Sequence, residues 1–378
     1  MCYLFETIFS LFIVSAPKKI IKGISGEFRS GELSAILGPS GSGKSTLLNI
    51  LSGYTTNNIC GSIIVNGVER NEEKFRQKST YIMQEENLYG LLTMRETMTF
   101  SIRLKTAVRC RKKINDKIKE ILGTLSLESQ DETLVKNLSG GQQKRLSIAM
   151  EIVNNPSTIF LDEPTTGLDS SSTTQCVSML KKLALQGKTI ICTVHQPSSL
   201  IFKMFDHLYT LVDGLCIYQG TPNNLVSFLA EVELICPESY NPADYLLEVA
   251  TDGYGEQNEK LTEKIDNGKN INYREPTKSI EDGDGVYENE GDKTSASFAQ
   301  QVYQLTKRNL IFNIRNKSFM LIRIAVHVYI GILVGLMYFK IGNQAKQMIN
   351  IYKSFLVLTI VLMYTSIYSL MVRCEFTF

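Results

Sequence analysis

The chain has 378 residues, 43% of them apolar and 21% charged, with 40 Lys and Arg against 38 Asp and Glu. Its length exceeds one ordinary domain, and a net charge of +2 lacks the basic excess of a nucleic-acid-binding protein, so no nucleic-acid partner is expected. Eight cysteines are scattered without a C-x-x-C pair or a His at zinc spacing, which excludes a zinc ribbon and fits reduced thiols in a cytosolic domain.

Met1–Ala16 is an apolar run broken only by Glu6; without a basic n-region it does not read as a secretory signal. The run Leu33–Leu37 is apolar enough for a buried strand, and Leu47–Leu51 continues as a helix. Between them stand Gly38, Pro39, Ser40, Gly41, Ser42, Gly43, Lys44, Ser45 and Thr46. This G-x-x-x-x-G-K-[ST] spacing lets backbone amides wrap a polyphosphate, with the next helix N-terminus aimed at the same anion. Lys44 reaches β- and γ-phosphates and Ser45 ligates Mg²⁺. A mere Gly/Ser turn would leave the lysine and both flanking elements unexplained. A nucleoside triphosphate with Mg²⁺ is the expected ligand pair.

Gln84 follows the strand-like Thr80–Met83 and can orient water or metal. Leu138, Ser139, Gly140, Gly141 and Gln142 precede a helical stretch in which Leu146, Ile148, Ala149, Ile152 and Val153 are apolar. They offer phosphate a second helix N-terminus. Asp162 ends the apolar run Thr158–Leu161, where a carboxylate suits Mg²⁺, and Glu163 next to it can act as general base. Gly167–Ser170 carries Asp169, and His195 follows the strand-like Thr189–Val194, within reach of a γ-phosphate. Singly, each is weak: a lone His is usually structural, and Ser-Gly-Gly is usually a turn. Their joint order after a phosphate loop is far more specific.

The set Gly38–Thr46, Gln84, Leu138–Gln142, Thr158–Glu163, Gly167–Ser170 and His195 resembles the nucleotide-binding domain of ABC proteins, where these are Walker A, the Q-loop, the signature, Walker B, the D-loop and the switch histidine. Gly26–Leu33, Asn137–Arg145, His195–Ser198 and Tyr240–Tyr245 are similar to subfamily G, the White-type half transporters. The resemblance covers about residues 17–250. It implies an α/β fold, a P-loop ABC-type ATPase with a helical subdomain near residues 85–150; the apolar segments further along the chain read as a transmembrane helical hairpin. The resemblance also implies that two copies sandwich two ATP molecules, the signature acting in trans, so a second half transporter is an expected partner in a homo- or heterodimer. An aromatic residue near the domain start is expected to stack on adenine, with Tyr3, Phe5, Phe9 and Phe12 as candidates.

Residues 251–296 lose apolar periodicity and gather acidic side chains, which reads as a mobile linker. Helical spacing returns over 297–318, with Phe298, Val302, Leu305, Leu310 and Ile311 interleaved with Lys307, Arg308, Arg315 and Lys317, as in an amphipathic helix on an inner membrane surface, with lipid as partner. The remainder, 319–378, reads as a partial membrane domain with spans at about 321–340 and 355–372. Basic residues before Leu321 favour a cytosolic start, Lys340, Lys346 and Lys353 in the following loop count against it, and the orientation rests mostly on the ATPase being cytosolic, giving a multi-pass membrane protein with a cytosolic ATPase. The resemblance implies six membrane helices, whereas the chain stops at Phe378, which reads as a fragment or a short isoform. The expected activity is ATP hydrolysis in a dimer, coupled to movement of an unknown small or lipid-like substrate. The alternative is a non-transporting isoform that binds ATP and regulates a full-length partner.

Overall fold

The computed structural model describes residues 19–85, 87–106, 108–251, 257–275 and 296–337, with scattered positions between 349 and 363. The apolar start 1–16, its candidate aromatics and most of the segment 355–372 lie outside the described residues.

In chain order the strands are β1 Leu33–Leu37, β2 Ile64–Val65, β3 Val68–Glu69, β4 Ser79–Ile82, β5 Thr158–Leu161, β6 Thr189–Thr193, β7 His207–Val212 and β8 Leu215–Gly220. The helices are α1 Lys44–Ser52, α2 Glu72–Lys78, α3 Met94–Lys105, α4 Arg111–Thr124, α5 Gly140–Ile152, α6 Ser170–Leu185, α7 Ser199–Phe202, α8 Leu225–Glu231, α9 Pro242–Ala250, α10 Asn258–Ile265, α11 Phe298–Arg315 and α12 Lys317–Met337. They form two compact units. One is the chain up to Gln84 joined by Gly140–Gly291, and the other is Glu85–Ser139 joined by the chain from Asp292.

The first unit is built on a six-stranded sheet of order β4-β5-β6-β1-β7-β8. All pairs are parallel except β7 with β8. Every residue of β1 is buried, as expected for a central parallel strand covered on both faces. Because β4, β5, β6 and β1 run the same way, the residues that follow them meet at one carboxyl edge. That edge is where an open α/β sheet binds ligands. Gln84, Asp162, His195 and the loop from Gly38 all lie just beyond these strand ends.

Sequence and structure part in two places here. The helical segment closes at Ser139 rather than near 150, because α5 turns buried Leu146, Ile148 and Ala149 inward and packs on β4 and α6. The predicted linker contains α10, whose Leu261 and Ile265 are buried, and α10 packs against β8. Beyond it, Arg274 is 8% exposed, donates to the Glu27 carbonyl at 2.6 Å and pairs with Glu32. Two apolar residues four apart are enough for a docked helical turn, even in a stretch whose average composition is polar.

In the second unit, Thr93 and Glu96 close a reciprocal capping box at the start of α3. Helix α11 packs on α3. Tyr89 meets Phe312 edge-on at 5.5 Å and lies under the Arg308 guanidinium at 4.3 Å. Arg315 grips both Glu96 oxygens at 2.6 and 2.8 Å. Helix α11 stops at Arg315, short of the predicted 318, and the chain bends by 81° into α12. Among the described residues no single helix is long and apolar enough to cross a membrane. The α11–α12 pair meets that test only when taken together. The first predicted span is thus not a straight membrane-length helix among the described residues, and most of the second lies outside them.

Candidate active site

The phosphate loop is shaped by backbone that other residues cannot adopt. Gly43, the residue capping α1, has φ 102°, and Gly38 has φ 153°, where a Cβ would collide with the Leu211 carbonyl. Gly43 offers α1 no side-chain cap, so the first-turn amides stay available to an anion. Lys44, 6% exposed, folds over the loop and donates to the carbonyls of Gly38 and Pro39 at 2.8 and 2.9 Å. Burial holds its ammonium below the usual lysine range, opposed by nearby Glu163 and Asp162. The Ser42 hydroxyl is buried and has no partner among the described residues. An orphaned donor beside a retracted lysine is what a polyphosphate would satisfy.

Opposite the loop, three hydroxyls converge on Asp162. Ser45 donates to Oδ1 at 3.1 Å, Thr193 to the same oxygen at 2.6 Å, and Tyr81 to Oδ2 at 3.3 Å. Burial first, and Asp162 second, raise the Tyr81 phenol above its usual range, so it remains a donor. Glu163 has φ 45°, a left-handed conformation unusual for its residue type. Its amide donates to Thr193 Oγ1 at 2.8 Å, and its Oε2 accepts from Gln84 Nε2 at 3.1 Å and Thr166 Oγ1 at 2.9 Å. A serine hydroxyl and a carboxylate side by side are the hard oxygen donors that Mg²⁺ takes, so the residues present fit that ion.

Residues 21–166 match the ABC transporter family, and residues 195–272 match the family described as ABC-2 type transporter. The chain is 30% identical to ABC transporter G family member 13 of Arabidopsis thaliana, over 89% of this chain and 56% of that protein. It is 31% identical to the broad substrate specificity ATP-binding cassette transporter ABCG2 of Bos taurus, over 91% of this chain and 58% of the relative. With ABC transporter G family member 1 of Dictyostelium discoideum it shares 39% identity over 61% of this chain. The chain belongs to the G subfamily of ABC transporters. It spans a little over half the length of the first and second of these relatives. A solved ATP-binding cassette of an ABC transporter shares the fold, at 23% identity and a TM-score of 0.51, over 58% of this chain and 93% of that one.

The remaining family motifs are placed as follows. Walker A, the Q-loop Gln84 and Walker B's Asp162 and Glu163 come together in the cluster above. In the signature, Leu138 is buried, Ser139 precedes α5, and Gly140, Gly141 and Gln142 form the first turn of that helix. Gly141 lies so close to Ser172 that a Cβ there would come within 2.6 Å of its side chain. The D-loop Asp169 caps α6, accepting from the Ser172 amide at 3.1 Å, and Ser172 holds its carboxyl below the usual range. His195 is exposed beyond β6 and makes no bond to Asp162 or Glu163 among the described residues. The ABC-2 match falls on β7, β8 and α7–α10 of the first unit.

Several residues at the site were given no role of their own by the sequence. Thr193, Tyr81 and Thr166 act through single hydroxyls in ordinary strand or loop sequence. Lys144, 3% exposed on α5, donates to the carbonyls of Met83 and Gln84 at 3.3 and 2.9 Å. Lys144 falls inside the quoted stretch Asn137–Arg145, but its burial against two backbone carbonyls is not visible in sequence.

Proposed function

We propose that this chain is the ATP-hydrolysing half of a G-type half transporter that pairs with a second half transporter in a membrane and moves a small or lipid-like substrate. The observation that carries the reading is the convergence of Ser45, Tyr81 and Thr193 on Asp162, with Glu163 held alongside by Gln84 and Thr166. Lys44 exchanges its loop carbonyls for β- and γ-phosphate oxygens as ATP enters. Ser45 and Asp162 would hold Mg²⁺, which would supply charge neutralisation at the phosphates. Glu163 takes a proton from the attacking water as its oxygen bonds to the γ-phosphorus and the bond to the ADP oxygen breaks. Gln84 orients that water, and His195 faces the γ-phosphate. Ser139, Gly141 and Gln142 address the nucleotide of the partner copy. Exposed Leu321, Ile322, Ile324, Val328, Ile332 and Leu336 on α12 support lipid as the surrounding medium, since such a face is costly in water.

The test uses the full chain in lipid vesicles. Wild type hydrolyses ATP with Mg²⁺ and stays with the membrane through an alkaline carbonate wash. Glu163→Gln retains ATP binding while turnover falls by roughly 10²–10⁴-fold. Lys44→Ala loses ATP affinity. Unchanged turnover in the first variant removes Glu163 from the chemistry, and unchanged affinity in the second removes the phosphate-loop assignment.

A further inference from the structure

We infer that Thr193 is a positioning residue for ATP hydrolysis, a single buried hydroxyl that locks the metal-binding carboxylate of Asp162 to the backbone of Glu163. The inference rests on the reading just proposed. Thr193 is 0% exposed at the carboxyl end of β6, next to β5 in the sheet. A hydroxyl has one proton to give and lone pairs to receive. Here the proton goes to Asp162 Oδ1 at 2.6 Å, and the Glu163 amide fills a lone pair at 2.8 Å. The two bonds fix each other's direction, so the base and the metal-binding oxygen cannot move independently.

Two features say that this fixation is needed. Glu163 has φ 45°, a conformation that persists only where its surroundings over-determine it. Thr193 holds its amide while Gln84 and Thr166 hold its carboxylate. The other donor to Asp162 Oδ1 is Ser45, at 3.1 Å. A Ser45 hydroxyl that turns to a metal loosens its hold on that carboxylate. Thr193, with Tyr81 on the other oxygen, then keeps Asp162 aimed. The blander alternative is a threonine that merely satisfies buried polar groups. That role would change thermal stability and leave metal dependence alone.

The experiment compares full-length wild type with Thr193→Val, Thr193→Ala, Thr193→Ser and Glu163→Gln in lipid nanodiscs. The first readout involves no turnover: the affinity for a fluorescent ATP analogue with Mg²⁺, divided by the affinity in EDTA. Thr193→Val should bind as wild type in EDTA, with the Mg²⁺-dependent gain cut by roughly 10-fold, the usual scale for loss of an outer-shell partner. In turnover, kcat should fall by roughly 10–10²-fold and KM for ATP with Mg²⁺ should rise in step with the smaller Mg²⁺-dependent gain, and Thr193→Ser should recover most of both. A wild-type Mg²⁺ ratio in Thr193→Val overturns the inference, as does an equal deficit in Thr193→Ser. Failure of both hydroxyl-free chains to bind ATP in EDTA makes Thr193 a folding residue and overturns it too. Failure of the underlying reading looks different: wild type shows no Mg²⁺-dependent gain, or Glu163→Gln turns over like wild type.

Discussion

His207 shows how far a single side chain can depart from what its sequence context announces. It opens β7, is 1% exposed, and has Phe28 edge-on at 5.6 Å. Neither ring nitrogen has a hydrogen-bond partner among the described residues. Burial holds its pKa well below the ordinary 6.5, and the positive charges of Arg274 and Arg29 push the same way. In the unfolded chain the imidazole takes a proton as pH falls through about 6.5, whereas in the native chain it does not. The unfolded state then binds more protons, so stability drops toward acid, by up to about 1.4 kcal/mol for each pH unit. Above the unfolded pKa the group contributes no slope. Melting curves between pH 5 and pH 7.5 should show wild type losing stability faster than His207→Phe, and identical slopes would remove His207 from the acid response. The contrast with Lys44 is instructive. Lys44 was legible because glycines, a strand and a helix frame it, whereas the isolation of His207 and the double bond of Thr193 arise from neighbours distant in the chain.

At the scale of elements, the sheet was legible wherever burial on both faces forces a continuous apolar run. Strand β1 falls on the predicted Leu33–Leu37, and β6 ends at Thr193, one residue before the predicted Val194. The phosphate loop was legible because its glycines and lysine have few other uses in that order. Helix α10 was not, since its stripe is only Leu261 and Ile265 within a polar stretch. The bend was legible only in part: the sequence separates an amphipathic helix ending at 318 from a span starting near 321, whereas the chain breaks at Asn316. The cost of misreading 257–275 as linker is measurable. Arg274 is almost fully buried, Glu32 partly so, and burial raises the Glu32 carboxyl while Arg274 and Arg29 oppose it. Tyr273 adds a bond from its hydroxyl to Glu231 at 2.6 Å, and its carbonyl accepts from Asn224 at 2.8 Å. Arg274→Ala leaves Glu32 without that partner and should destabilise the first unit by about 3 kcal/mol, the lower end of the range for breaking a buried pair. Denaturant unfolding checks the value, and limited proteolysis should find cleavage shifting into 257–275. A change under about 0.5 kcal/mol would return the segment to linker status.

At the scale of the whole molecule, one copy supplies one phosphate loop and one signature helix start, and the family resemblance pairs each with its counterpart on another copy. Crowding makes the signature a sensitive probe of that arrangement. Gly141 already lies against Ser172, and Asp169 ties down the Ser172 amide, so little room remains at the start of α5. In the pairing that the resemblance implies, Ser139→Arg adds bulk and charge next to a partner's γ-phosphate, and it leaves the residues of the chain's own phosphate loop unchanged. The variant should therefore bind ATP with wild-type affinity while losing ATP-driven dimerisation, read by light scattering or by crosslinking in nanodiscs. Mixing it with Lys44→Ala sharpens the test. In a head-to-tail pair, one composite site of the mixed dimer carries both lesions, and the other joins an intact phosphate loop to an intact signature. Each variant alone should be inactive, and the mixture should recover ATP hydrolysis, at most about a quarter of the wild-type rate if subunits pair at random and sites fire independently: half of the dimers are mixed, and each has one working site of two. Recovery near that level establishes action in trans. Full activity of Ser139→Arg as a monomer would mean that a single copy completes its own site, and the half-transporter reading would fall with the composite site.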